Sequence, residues 1–164
     1  MSYGSMTYDF LESERALANF IGQFERGTLP KAMWTHRAHL AVGTWYLVNF
    51  PEKIAIGRVR TGIQHYNRCV GTANTPSSGY HETLTLFWLR TIRRFLLEND
   101  GMGDKLKAVR GVVEEFGGQR DLFKQYYSFD VVASREARAR WVPPDRIVFN
   151  ILVNGGNKST LEDI

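Results

Sequence analysis

The chain is short of several things, and each shortage closes a class of protein. It has one cysteine in 164 residues, Cys69. An internal disulfide framework and a cysteine-rich zinc module are therefore excluded, and a reducing cytoplasm is the expected compartment. No apolar run approaches the roughly 20 residues needed to span a bilayer, so no membrane partner is expected. Residues 1–10 lack the basic-then-apolar layout of a signal peptide. Excess charge is scarce as well. The 21 Lys and Arg stand against 17 Asp and Glu, a formal +4, which permits an anionic partner without demanding one. What the chain does have is 43% apolar residues and 13% aromatics. That is too much for a disordered chain, and at this length it is enough for one domain with its own core. No internal repeat or low-complexity tract divides it. Residues 1–164 read as a single helical domain, with 155–164 a frayed tail.

The apolar residues recur at helical spacing. Leu17, Phe20, Ile21 and Phe24 fall at i, i+3, i+4 and i+7, one stripe on a first helix over 8–26. Asp9 or Thr7 is placed to cap its start, and Gly27 to stop it. Pro30 predicts the first turn of a second helix running to about Phe50. Trp34, Ala38, Ala41, Trp45 and Val48 line one face of that helix, and Ala32, Gly43, Tyr46 and Phe50 another. A helix apolar on most sides is buried on most sides, so this one is expected at the centre. Pro51 and Glu52 restart the chain as a third helix, with Ile56, Val59, Ile63, Tyr66 and Val70 facing inward and Gly71 ending it. Residues 72–79 have loop composition. A fourth helix over 80–98 carries Arg90 and Arg94 on its outer seam. Asp104 caps a fifth, which ends near Gly117. Shorter helical pieces follow around 120–127 and after Ser134, and 147–153 is an apolar run suited to a short strand or a docked arm. The predicted fold class is all-α: a single-domain, up-and-down bundle of four main helices with a smaller helical C-terminal part.

All four histidines lie between positions 36 and 81. On a helix, His36 and His39 share a face, and His81 falls on the side of the fourth helix away from the arginine seam, with Thr85, Trp88 and Ile92. In an up-and-down bundle the relevant helix ends meet at one end. At about 1.5 Å per residue, His36 and His39 sit roughly 9–14 Å inside that end, His65 about 7 Å and His81 about 3 Å. Glu25 and Glu82 lie near it as well. Imidazoles converging with a carboxylate suit a divalent transition metal such as zinc, iron or manganese. The expected ligands are His36, His39, His81 and Glu82, with Glu82 also a candidate general base on a metal-bound water. Glu25, His65, Tyr80 and Thr85 are candidates for the surrounding pocket, and the loop 72–79 end is where a small molecule would enter. His65 lies off its helix's apolar stripe and Glu82 suits any helix start, so both also have ordinary structural readings. Cys69 has no base beside it in sequence.

Two other readings are weaker. Arg90, Arg93 and Arg94, and then Arg135, Arg138 and Arg140 beside Trp141, form basic clusters that would suit an acidic partner. No nucleic-acid motif accompanies them, which argues against nucleic acid. Residues 155–160 imitate part of a phosphate loop, but they lie in the tail with no helix after them. Oligomeric state is left open.

Leu29-Pro30, Trp34-Thr35-His36-Arg37-Ala38-His39-Leu40, Tyr66-Asn67 and Gly79-Tyr80-His81-Glu82-Thr83-Leu84-Thr85 together resemble a family of small bacterial all-α proteins of unknown function. The likeness extends to Ser134-Arg135-Glu136-Ala137-Arg138 and Pro144-Asp145. It implies the helical fold but attaches no activity. In plan, a bundle with histidines at one end is also similar to DinB-like metal-binding bundles, an analogy of fold alone. The leading expectation is a metal-binding protein, with metal-dependent catalysis on a small molecule left open. The alternatives are a metal-free small-molecule binding domain, and an interaction module using the arginine clusters.

Overall fold

A computed structural model describes residues 9–147. The tail 155–164, the phosphate-loop imitation and all of the 147–153 run except Ile147 lie outside them. Among the described residues the chain is all-helical, with no strand.

Helix α1 spans Glu14–Arg26. Its cap is Ser13, whose Oγ accepts from the Ala16 amide at 3.0 Å, because Asp9–Leu11 form a separate 3-10 turn. Leu17, Phe20, Ile21 and Phe24 are all buried, and Gly27 ends the helix at φ 70. A Cβ at Gly27 would lie 2.4 Å from Cys69 Sγ, so glycine is also what lets α1 end against the third helix.

Helix α2 spans His36–Asn49 and does not begin at Pro30. Pro30 leads instead into a 3-10 turn, Lys31–Met33. Thr35 then caps α2, its Oγ1 accepting from the Ala38 amide at 3.3 Å. From Ala38 to Leu47 only Trp45 and His39 escape full burial. α2 is central as predicted, packed against α3 (Glu52–Cys69), α4 (Glu82–Glu98) and α5 (Lys105–Phe116). α5 starts at Asp104, as expected, but it lies along α2 as an equal member of the bundle. Buried side chains such as Leu40 and Leu47 of α2 each contribute about 1.5–3 kcal/mol through removal from water.

α3 buries Ala55, Ile56, Val59 and Tyr66, and the Tyr66 hydroxyl donates to the Leu29 carbonyl at 2.9 Å. α4 faces the main core with Leu86, Leu89, Ile92 and Leu96. On another side Phe87 enters a second, smaller core with Phe123, Tyr126, Tyr127, Val131 and Ala137. This is the C-terminal part, built from a 3-10 turn at Leu122–Gln125 and helix α6, Arg135–Ala139. It covers the side of α4 assigned above to solvent. Arg90 is only 9% exposed, with its guanidinium carbon 3.9 Å from the Trp141 ring centroid. The outer-seam placement of Arg90 is thus corrected: cation–π contact replaces water there. None of the described helices is long and apolar enough to cross a membrane.

Candidate functional site

A cleft of about 440 Å³ opens between α3, the 72–80 loop, the start of α4 and α6, lined by Arg60, Gln64, Asn74, Tyr80, Glu82 and Arg138 among others. Its shape begins with one amide side chain. Asn74 Oδ1 accepts from Asn67 Nδ2 at 2.9 Å and from the Tyr80 amide at 3.1 Å. Asn74 Nδ2 donates to the Gln64 carbonyl at 3.0 Å. The loop is thereby fastened to α3 at one side and to the approach to α4 at the other. Thr75 and Ser78 close its tip through paired backbone bonds of 3.0 and 3.4 Å. Gly79 makes the last turn at φ 74, where a Cβ would stand 2.4 Å from the Ala73 carbonyl oxygen. A side chain there is excluded by both backbone conformation and space.

Glu82, the first residue of α4, sits at the floor with its side chain 12% exposed. Arg60 Nε donates to both carboxylate oxygens, at 3.1 and 3.0 Å, and Arg60 Nη2 donates to Oε1. The Tyr80 hydroxyl donates to Oε2 at 2.6 Å. The hydrogen bond to Glu82 raises the Arg60 pKa further above its already high value. Burial, followed by the same kind of bond, pushes the Tyr80 phenol well above its ordinary value, so Tyr80 remains a protonated donor. Thr85 lies beside the Tyr80 phenol and donates to the His81 carbonyl at 2.8 Å. On the far wall, Arg138 Nη1 donates to the Gly79 and Tyr80 carbonyls at 3.0 and 3.3 Å, and Nη2 to the Val132 carbonyl at 3.3 Å. Arg138 has no ion pair among the described residues.

The histidines take other partners. His36 Nε2 donates to the Phe116 carbonyl at 3.0 Å, and its ring meets the edge of Trp88 at 4.7 Å. His39 Nδ1 donates to the Thr35 carbonyl at 2.7 Å, with its ring against Trp34 at 3.8 Å. His81 is the cap of α4: Nδ1 accepts from the Leu84 amide at 3.3 Å, and Nε2 donates to the Val131 carbonyl at 2.9 Å. Burial is the largest influence on all three and pulls each below the ordinary imidazole value. His39 is packed round by protein yet keeps an exposed surface, so water offsets part of that desolvation. His65 is exposed, its Nε2 3.6 Å from Cys69 Sγ. Glu25 accepts from the Tyr46 hydroxyl at 2.7 Å, away from the cleft.

The convergence expected of His36, His39, His81 and Glu82 is therefore corrected. Among the described residues no three His, Cys, Asp or Glu side chains gather as a ligand set. The physical reason lies in the helix starts. α2 begins late, so His36 and His39 stand in its first turn, where their rings reach nearby carbonyls. His81 caps its own helix and turns its ring away from Glu82's carboxylate partners. The other arginines are also dispersed, with Arg93 paired to Glu52 at 3.2 Å, Arg94 to Glu98 at 3.9 Å and Arg140 to Glu136.

Of the four expected pocket residues, Tyr80 and Thr85 come together beside Glu82, the expected ligand and base, whereas Glu25 and His65 take other partners. Arg60, Gln64 and Asn74 escaped the sequence reading, and Arg138 entered it only within a basic cluster suited to an acidic partner. One signal was there: Arg60, Gln64 and Asn67 recur at i, i+4 and i+7, a polar line beside the apolar stripe of α3, which marks a side of the helix turned towards something other than core or open water. Comparison of the chain with protein-family models, curated proteins and solved structures finds no match.

Proposed function

We propose that this protein binds a small molecule in the cleft beneath the 72–80 loop, with Arg60, Tyr80, Glu82 and Arg138 forming its polar wall. The observation that carries the reading is a concavity of ligand size whose polar groups are fixed by the fold before any ligand arrives. Asn74 sets the loop, Glu82 fixes Arg60 and Tyr80, and three carbonyls fix Arg138. Preorganised groups of this kind lose little freedom on binding. Glu82 already accepts four hydrogen bonds. Its role here is to position Arg60 and Tyr80, and service as a general base would require it to release one of them.

Amide chemical-shift mapping of the untagged protein tests the reading, using glucose, putrescine, succinate and inorganic phosphate as probes. The expected result is that at least one of them shifts the Asn74, Tyr80 and Glu82 amides. Shifts confined to other surfaces, or none, would overturn it. The metal-dependent reading makes a different demand: near one equivalent of zinc, iron or manganese per chain after desalting, lost in His39→Ala. Elemental analysis of both proteins decides it.

A further inference from the structure

We infer that the ligand of this cleft is an anion carrying a carboxylate or phosphoryl group, held by Arg138 and Arg60. The inference rests on the cleft being the binding site and adds the chemistry of what it takes. Consider first which polar groups are open to a newcomer. The Asn74 amide is engaged at both ends within the loop. Thr75 Oγ1 is engaged with Ser78, and the Tyr80 hydroxyl with Glu82. The neutral groups that would recognise a sugar or an alcohol are thus occupied, apart from the Gln64 side chain. The carboxylate that would hold an amine is occupied as well, since both Glu82 oxygens already accept from Arg60 and one from Tyr80.

What remains is guanidinium. Arg60 reaches Glu82 through Nε and Nη2, and Arg138 reaches its carbonyls through Nη1 and Nη2. Arg60 Nη1 and Arg138 Nε make none of these bonds. The wall carries two guanidinium charges against one carboxylate. Arg138 is half-buried and bound only to neutral carbonyls, which orient a cation without cancelling its charge. Arginine presented in this way suits planar or branched oxyanions, which it meets with two parallel N–H bonds.

The test uses the full chain and four probes of similar size: succinate, inorganic phosphate, uncharged succinamide and cationic putrescine. It also uses Gln64→Glu, which sets a carboxylate in the cleft at a side chain that makes no hydrogen bond among the described residues. Succinate, phosphate or both should shift the Asn74 and Tyr80 amides. Their affinity should fall about tenfold in Gln64→Glu and weaken as salt is raised. Whichever of the two binds more tightly identifies the head group as carboxylate or phosphoryl. Succinamide or putrescine binding at these amides as tightly as the anions would overturn the inference while leaving a binding cleft in place. The same holds for anion binding that is indifferent to Gln64→Glu. No shift at these amides with any probe would remove the binding reading itself, and this inference with it.

Discussion

Two helix starts in this protein carry similar residues and end in different situations. α2 opens with Thr35, His36 and His39, and α4 with His81, Glu82 and Thr85. At α2 each histidine nitrogen that bonds does so to a nearby carbonyl, and the rings lie against Trp34 and Trp88. At α4 the histidine is likewise absorbed into the fold, as cap and cross-link to Val131. One residue further on, Glu82 gathers an arginine and a tyrosine around an open space. Polar residues that the fold turns onto its own carbonyls and rings make structure. A site appears where fixed polar groups keep capacity facing a cavity. The histidines attract attention by their chemistry, but the arginines hold that remaining capacity.

The sharpest way to break this comparison is Glu82→Ala. It leaves Arg60 and Tyr80 without their shared acceptor, and we expect a loss of about 2–3 kcal/mol in urea unfolding, with part of the loss recovered by water at half-exposed Arg60. Unchanged stability would mean that the carboxylate does not organise the wall. Next in size is His81→Ala, at about 1–2 kcal/mol, because α4 loses its cap and the Val131 carbonyl loses its donor. His81→Asn, which can still accept from the Leu84 amide, should regain part of this. His36→Ala is expected to cost less, about 0.5–1 kcal/mol, since a half-exposed ring gives up one hydrogen bond. Probe binding at the cleft should be the same as in the unaltered protein, and weakened binding would place α2's start in the site after all.

The smallest effect is on pH dependence. His36, His39 and His81 all have folded-state pKa values below the ordinary imidazole value. Below about 6.5 the unfolded chain therefore binds protons that the folded chain refuses. Stability should hold at its full value above about pH 6.5 and decline as the pH falls from there towards 5, less steeply in His81→Asn. A melting temperature flat across that range would contradict the neutral state assigned to these rings.

The bundle was legible wherever periodicity and burial coincide. The α1 stripe, the central place of α2 and the inward face of α3 at Ile56, Val59 and Tyr66 follow from apolar spacing alone, since nothing else could cover those side chains. Pro30 misled because proline tolerates a 3-10 turn as readily as the first turn of an α-helix. Thr35, a residue type that caps helices and stands one residue before the first helical position, was the better marker. Arg90 misled because its burial depends on Trp141, 51 positions later, a partner that local spacing cannot reveal. The site was half legible. Tyr80, Glu82 and Thr85 are close in sequence and were found together, whereas Arg60 and Arg138 join them only through tertiary packing.

Arg138 has a consequence for the order of events during synthesis. Its bond to the Gly79 carbonyl joins residues 59 positions apart, and it comes from a five-residue helix near the end of the described chain. The residues that build the main bundle core emerge from the ribosome earlier, so the hydrophobic collapse around α2 can precede the cleft. A nascent chain stopped before Arg138 would hold a packed bundle with one wall of the cleft missing. On the reading proposed above, the wall of the cleft is complete only once translation has passed α6.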